Sequence, residues 1–97
     1  MPTYATLFKY TQKGFENIKD HPKRLDAVRK AITAAGGKLI GLYLTMGQYD
    51  LLAICEFPDD ETAARTLLGA GSQGYVRSET LRAFTEDEYR QLVAGIP

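Results

Sequence analysis

The chain has 97 residues, of which 44% are apolar and 25% are charged, and this size and composition predict one compact domain, residues 1–97. Twelve basic residues balance twelve acidic ones and neither sign forms a block, so the charge pattern gives no support for binding to nucleic acid or to an anionic membrane. No segment approaches the roughly 20 apolar residues of a membrane span and the N-terminus lacks signal-peptide features, so we expect a cytoplasmic protein.

The first half of the chain predicts a strand, a helix and a hairpin. Residues 4–10 favour a strand that closes in a turn, and residues 15–19 predict one helical turn. The segment DHPKRLDAVRKAITAAGG has a proline, Pro22, that suits the first helical turn, repeats apolar residues at helical spacing and ends in a glycine pair, so it predicts an amphipathic helix. Residues 38–46 and 49–57 flank Gly47-Gln48, which predicts a type II′ hairpin turn with positive φ at Gly47.

The second half predicts a helix, a strand and a short terminal helix. Asp59 and Asp60 offer acidic caps to a helix that GAGSQG interrupts, and residues 75–84 follow as a fourth strand. TEDE, from Thr85 to Glu88, is a capping box that opens the terminal helix. The order βαββαβ plus a helix predicts an α+β ferredoxin-like sandwich with antiparallel sheet order 4-1-3-2.

Three segments of the chain carry a resemblance to a known family. They are LTMGQYDLLAI, PDDE and VRSETLRAFTEDE, and the first contains Gly47, Tyr49 and Asp50. Together they resemble the GYD domain family, whose name refers to a glycine, a tyrosine and an aspartate. The resemblance implies a dimeric α/β barrel related to the ferredoxin-like fold. It implies no particular activity.

The hairpin register predicts two contrasting faces of the sheet. The face toward the helices is predicted to carry Ile40, Leu42, Leu44, Met46, Tyr49, Leu51, Ala53, Cys55 and Phe57. The other face is predicted to carry Tyr43, Thr45, Asp50, Leu52, Ile54 and Glu56, with Tyr4, Thr6, Phe8 and Tyr10 of the first strand and Ser78, Thr80 and Arg82 of the fourth. Because Leu52 and Ile54 would leave an apolar patch uncovered, we expect self-association, as a homodimer or a higher multiple, through this second face.

A small set of side chains on the second face is predicted to touch a ligand. The candidate ligand-binding residues are Tyr43, Asp50, Arg82, Phe8 and Leu52, while Gly47 and Tyr49 are assigned to the turn. Asp50 has two interpretations, since it could bond to turn amides or Thr45 or could act as a carboxylate in a pocket, and the first is favoured. For Glu56, Arg77 and Arg82 we expect ion pairs or bridges at an interface.

The remaining chemically distinctive residues give no specific signal. His21 has no Cys, Asp or Glu at a ligand-like spacing, so no metal site is predicted and a cap or a solvent-facing role is expected. Cys55 is the single cysteine, which excludes an internal disulfide, and its place in an apolar strand predicts a buried, unreactive thiol. The glycine-rich segments match neither a P-loop nor a Rossmann fingerprint.

Two functions therefore stay open on the sequence. The first is a ligand-sensing or interaction domain without catalysis that dimerises through its sheet. The second is a small enzyme without a cofactor, similar to a monooxygenase or an isomerase, that acts on an apolar or aromatic molecule in the barrel cavity. The second rests on fold analogy alone. No cofactor is predicted for either.

Overall fold

The computed structural model describes residues 1–97 and has the predicted order of elements. The strands are β1 (Thr3–Tyr10), β2 (Lys38–Leu44), β3 (Leu51–Glu56) and β4 (Val76–Ala83). The helices are α1 (Gln12–Glu16), α2 (His21–Ala34), α3 (Asp60–Ser72) and α4 (Glu86–Ala94), and a 3-10 turn, Ile18–Asp20, leads into α2. No helix combines the length and apolar character needed to cross a bilayer.

The four strands form one antiparallel sheet in the order β2-β3-β1-β4, which confirms the predicted 4-1-3-2 arrangement. Helices α2 and α3 lie on one side of this sheet, which we call the helix side. Leu51, Ala53 and Cys55 of β3 point to that side and are buried. The core they belong to also contains Ile32 of α2 and Ala63 of α3.

Strand β1 faces the opposite way from the prediction. Its register places Tyr4, Thr6 and Phe8 directly across from Cys55, Ala53 and Leu51. Residues that lie opposite each other in an antiparallel pair share a face, so these three side chains belong to the helix side. Tyr4 and Thr6 are buried there, 4% and 1% exposed, and Tyr10 follows them in phase. The prediction for β1 is wrong because both of its faces are largely apolar, so its alternation has no clear phase.

The predicted face of β4 is also wrong, because the face of β4 is set by its pairing with β1. Arg82, Thr80 and Ser78 lie opposite Tyr4, Thr6 and Phe8, so they also point to the helix side. The Thr6 and Thr80 hydroxyl oxygens are 3.1 Å apart and hydrogen-bonded.

A β-bulge in β2 changes which of its residues pack in the core. Leu39 pairs with Cys55 and Gly41 pairs with Ile54, so Ile40 is the extra residue between them. Leu39 therefore packs against the core, whereas Ile40 is 52% exposed. Sequence alternation without the bulge assigned Ile40 to the core, and the bulge explains why that assignment is wrong.

The β2–β3 connection is wider than the predicted two-residue turn. Leu44 pairs with Leu51, as predicted, and the Thr45 N–H donates to the Asp50 carbonyl at 2.9 Å. Beyond this bond the chain forms an open loop, in which Met46 is fully exposed rather than in the core. Gly47 does not have positive φ, so the type II′ prediction is wrong. The Asp50 N–H donates to the Phe8 carbonyl at 2.8 Å, which ties the end of the loop to β1 rather than to a tight turn.

Positive φ occurs instead at Gly36 and Gly74, both at 83°. Gly36 follows α2 and confirms the predicted glycine stop. Helix α3 continues through Gly69 and Gly71 to Ser72, so of the glycines in GAGSQG only Gly74 is in the turn that follows the helix.

Helix α1 begins three residues before the predicted helical turn because Thr11 caps it. The Thr11 hydroxyl accepts from the Gly14 N–H at 3.1 Å and donates to the Gly74 carbonyl at 2.6 Å. The Thr11 N–H donates to the Tyr75 carbonyl at 3.1 Å. A Cβ on Gly14 would lie 2.2 Å from that same carbonyl oxygen, so this close approach requires glycine.

Helix α4 extends away from the body of the domain. Its capping box is formed as predicted, since the Glu88 N–H donates to the Thr85 hydroxyl and the Thr85 N–H donates to the Glu88 carboxylate. The apolar side chains of this C-terminal segment are nevertheless exposed, with Leu92 at 56% and Ile96 at 68%. The radius of gyration is 14.6 Å, against about 12.5 Å for a compact chain of this length.

The two glycines Gly14 and Gly47 provide a matched pair of substitutions. Gly14→Ala is expected to lower the free energy of unfolding by about 1–3 kcal/mol, because the new methyl group overlaps the Tyr75 carbonyl oxygen. Gly47→Ala should change it by less than about 1 kcal/mol, since Gly47 has open space around it and no positive φ. Urea titration followed by circular dichroism measures both, and equal stability of the two variants would contradict the predicted contact at Gly14.

Candidate functional site

The side of the sheet away from the helices has no cover within the chain, and we call it the open face. Its members follow from the strand registers. They are Thr3, Ala5, Leu7 and Lys9 of β1, Lys38, Gly41 and Tyr43 of β2, Leu52, Ile54 and Glu56 of β3, and Arg77, Glu79, Leu81 and Ala83 of β4. The predicted members Tyr43, Leu52 and Ile54 form its apolar part together with residues of β1 and β4.

The centre of the open face is apolar and continuous across all four strands. Leu7 lies directly opposite Leu52, and Leu52 lies opposite Tyr43 on its other side. Ala5 of β1 lies directly opposite Ile54 on one side and Leu81 on the other. Tyr43 is 58% and Leu81 is 48% exposed. Contiguous apolar patches larger than a few hundred Å² are rare on soluble monomers, and they mark interaction sites.

Charged residues lie at both ends of this apolar centre. At one end Lys9 pairs with Arg77, and the Tyr49 hydroxyl donates a hydrogen bond to Glu79. The Lys9 ammonium is 5.3 Å from the centre of the Tyr49 ring. The hydrogen bond to Glu79 raises the pKa of Tyr49. Tyr49 therefore reaches over the open face, whereas the sequence assigned it to the helix side.

The opposite end of the open face also carries both signs of charge, because Lys38 pairs with Glu56 across β2 and β3. Arg82 lies at this end too, but on the helix side. Its guanidinium donates to the carbonyls of Thr3, at 3.2 Å, and Ala83, and it lies 4.4 Å from the centre of the Phe84 ring. Glu56 and Arg82 are thus separated by the sheet and form no ion pair within the chain.

The five predicted ligand-binding residues do not come together. Tyr43 and Leu52 are adjacent on the open face, whereas Phe8 and Arg82 lie on the helix side. Asp50 is at the rim, where its carboxylate accepts a hydrogen bond from the Tyr10 N–H at 2.9 Å. A ligand-binding role for any of them stays a prediction.

Asp50 holds the β2–β3 loop against β1 through both its backbone and its side chain. Its N–H donates to the Phe8 carbonyl and its carboxylate receives the N–H of Tyr10, the last residue of β1. The local partner is therefore a backbone amide of a different strand rather than an amide of the turn. Thr45, the other partner suggested by the sequence, donates its hydroxyl to the Tyr49 carbonyl at 2.5 Å instead.

Sequence reasoning missed Leu7 and Leu81 as members of the open face. The signal that could have found them is the pairing of β1 with β3, which places Leu7 beside Leu52. The alternation of side chains along β1 did not show which face Leu7 lies on, since β1 carries aromatic side chains on its other face. In addition, no group of three or more metal-ligating His, Cys, Asp or Glu side chains forms in the structure.

The four-stranded antiparallel sheet with helices on one side and an apolar open face on the other defines a ferredoxin-like domain. The sequence profile of the GYD domain matches residues 4–93, and the chain belongs to this family.

Comparisons with known proteins agree with the family and the fold. A curated relative is the glutamine synthetase and cystathionine beta-lyase binding protein of Thermus thermophilus, 32% identical over 86% of this chain and 88% of the relative. The crystal structure of TTHA0845, also from Thermus thermophilus, is 28% identical, with a TM-score of 0.56 over 88% of this chain and 95% of that chain.

A more distant structure shares the fold alone. The crystal structure of MtbAldR has a TM-score of 0.67 over 88% of this chain at 9% identity. This chain spans 52% of the length of that structure.

Substitutions of Asp50 can separate its hydrogen bond from its charge. Asp50→Asn keeps an acceptor oxygen for the Tyr10 N–H and should change the free energy of unfolding by less than about 1 kcal/mol. Asp50→Ala leaves that amide without its partner and should cost about 1–3 kcal/mol. Urea titration measures both variants. If Asp50→Asn lost as much stability as Asp50→Ala, the carboxylate charge rather than the hydrogen bond would be what stabilises the loop.

Proposed function

We propose that this chain is an interaction module that pairs with a second copy through its open face and, as a pair, binds other proteins. The observation that carries the proposal is the uncovered apolar centre of the open face, formed by Leu7, Leu52, Ile54, Tyr43 and Leu81. Burial of apolar surface stabilises an assembly by about 25 cal/mol per Å². A second copy presents the same surface, so two-fold pairing covers both open faces at once.

The charges at the ends of the open face are compatible with pairing of identical surfaces. One end carries Lys9, Arg77 and Glu79, and the other carries Lys38 and Glu56. Both ends therefore combine basic and acidic side chains. Two copies can meet in either orientation without bringing together surfaces of one charge, and the chain as a whole has no net charge.

The exposed apolar residues of α4 support its inclusion in the same interface. Four strands about 4.8 Å apart and about 23 Å long give a planar footprint of about 450 Å² per copy. A standard interface buries about 800 Å² of accessible surface per partner, which is a larger measure than a planar footprint because side chains roughen the surface. The exposed apolar residues of the C-terminal segment, which include Tyr89, Leu92 and Val93, are a further source of area. We therefore place α4 of each copy against its partner.

The binding of other proteins is supported by the curated relative. That protein is named for binding glutamine synthetase and cystathionine beta-lyase, and it matches this chain along most of both lengths. We propose that this chain likewise binds enzymes of amino-acid metabolism, with glutamine synthetase from the same organism as the first partner to test by titration calorimetry with purified proteins.

The alternative of a small enzyme depended on Asp50, Tyr43 and Arg82 converging on one cavity. Arg82 lies on the opposite side of the sheet from Tyr43, and the Asp50 carboxylate accepts the Tyr10 N–H. This geometry favours the interaction module over the enzyme.

A charge placed at the centre of the open face should prevent pairing. We expect wild-type protein to be a dimer or a multiple of a dimer at micromolar concentration, and Leu52→Asp to be monomeric or to aggregate, because an unpaired carboxylate would be desolvated in the interface. Leu68→Asp is the control, since Leu68 is 74% exposed on α3, outside both proposed surfaces. Multi-angle light scattering measures the mass of each variant.

Leu92→Asp tests the contribution of α4 to pairing by the same method. Gln91→Asp, at the neighbouring position of the same helix, is its control. Leu92→Asp should weaken the dimer at least tenfold and Gln91→Asp should leave it unchanged. A wild-type protein that stays monomeric at micromolar concentration, with its fold intact by circular dichroism, would refute the proposed pairing.

A further inference from the structure

Apart from the open face, the edges of the sheet rather than its helix side offer a place for a partner. The helix side holds a cavity of about 70 Å³ between the sheet and helices α2 and α3, with mostly apolar walls. His21 lies in its lining and is buried, 8% exposed, so the expectation of a cap or a solvent-facing role for His21 is wrong. A cavity of this volume has no room for a segment of another protein, so it takes no part in association.

Strand β4 is an edge strand whose outer side nothing in the chain covers. It lies at one end of the order β2-β3-β1-β4, and every residue from Arg77 to Arg82 is exposed. Its pairing with β1 runs from Thr3 to Tyr10 without a register shift, so β4 is regular over its whole length. The other edge strand, β2, is interrupted by the bulge at Ile40. Strand β4 is therefore the edge that a further strand can extend.

The phase of the β1–β4 ladder shows which backbone groups of β4 are free. The Thr11 N–H donates to the Tyr75 carbonyl at 3.1 Å, and this pair continues the register in which Lys9 lies opposite Arg77. Opposite residues of an antiparallel pair alternate between hydrogen-bonded and non-hydrogen-bonded pairs, so the odd-numbered residues of β4 bond to β1. The residues whose N–H and C=O groups point outward are Val76, Ser78, Thr80 and Arg82.

The charged side chains of β4 are not compensated within the chain. Arg77 lies directly opposite Lys9, and like charges in this arrangement destabilise a sheet. Arg77 forms no ion pair, since the single ion pair of the chain joins Glu86 and Arg90. Glu79 is the next residue of β4 on the same face as Arg77. An acidic side chain on the outer side of Arg77 would offset the charges of Lys9 and Arg77.

We propose that β4 of one copy pairs antiparallel with β4 of a second copy, about a two-fold axis that passes through Ser78 perpendicular to the sheet. Ser78 then lies opposite Ser78 of the second copy, and Val76 lies opposite Thr80. These are residues whose N–H and C=O groups point outward, so each of these pairs is hydrogen-bonded. Between them Arg77 lies opposite Glu79 of the second copy, and the symmetry repeats this ion pair on the other side of the axis.

Charge selects this register among the symmetric alternatives. An axis at Arg77, Glu79 or Arg82 places that charged side chain opposite its own copy, which is repulsive. Axes at Thr80 and Leu81 place Glu79 opposite Leu81 and Ala83, respectively. The axis at Ser78 is the one in which Arg77 and Glu79 meet, so the charges that oppose other registers favour this one.

The edge contact is separate from the open face and narrower. It uses one strand of each copy, so it is weaker than open-face pairing and forms at submillimolar rather than micromolar concentration. Because the axis is perpendicular to the sheet, the two open faces remain on the same side of the joined sheet. Edge pairing therefore links open-face pairs into larger assemblies without competing with them.

Cysteine crosslinking measures the position of the axis. In the proposed register the Cα atoms of two Ser78 residues are about 5.5 Å apart, within the range of a disulfide, whereas those of two Thr80 residues are about 14 Å apart. We expect Ser78→Cys to give a disulfide-linked dimer on mild oxidation at submillimolar concentration and Thr80→Cys to give none. The native Cys55 is buried, so wild-type protein provides the background. Non-reducing gel electrophoresis measures the product, and circular dichroism shows that the variants are folded.

Charge reversal tests the ion pair. Arg77→Glu or Glu79→Arg alone places like charges opposite each other on both sides of the axis and should weaken edge pairing about tenfold. An equimolar mixture of the two variants pairs opposite charges again and should restore association. Arg65→Glu makes the same change of charge at an exposed position of α3 and should have no effect. Analytical ultracentrifugation at submillimolar concentration measures association.

Several results would overturn the inference. They are the absence of a Ser78→Cys crosslink, crosslinking of folded Thr80→Cys to the same extent or more, and no recovery of association in the mixture of Arg77→Glu and Glu79→Arg. Light scattering at micromolar concentration reports open-face pairing separately. A monomer at micromolar concentration that still crosslinks through Ser78→Cys would refute open-face pairing alone, and a dimer without that crosslink would refute edge pairing alone.

Discussion

The structure depends on a sheet that helices cover on one side only. Because side chains alternate along a strand, every strand that packs against α2 and α3 also presents a second row of residues on the open face. In the central strands β1 and β3 both rows are largely apolar. The helices of the chain bury only one of these rows and leave the other uncovered. The direct pairing of Tyr4, Thr6 and Phe8 with β3 decides which row is buried. The composition of the open face and that of the cavity both follow from that choice of row.

The sequence predicts the elements, the strand order and the family, but not which way β1 faces. Helix caps, glycine stops and helical spacing are local signals, and they suffice for α2 and α4 and for the start of α3, whereas α3 continues through Gly69 and Gly71, which were predicted to end it. The phase of β1 is not local, since Ala5 and Leu7 are as compatible with a core as Phe8. The bulge at Ile40 and the open loop before Asp50 depend on pairing with other strands. The predicted site was therefore divided between two sides of the sheet.

The open face and the cavity lie on opposite sides of the same two strands. Leu52 of β3 faces outward, while its neighbour Leu51 lines the cavity. A partner that covers the open face leaves the cavity on the helix side unobstructed.

The central claim is that a second copy covers the open face, and solvent accessibility of its methyl groups tests this most directly. A soluble paramagnetic agent broadens methyl signals in proportion to their exposure. At concentrations where pairing is complete, the account predicts that the methyl signals of Leu7, Leu52 and Ile54 are protected while those of Leu68 are strongly broadened. Dilution should remove the protection. Broadening of the Leu52 and Ile54 signals that is the same at all concentrations would contradict the claim.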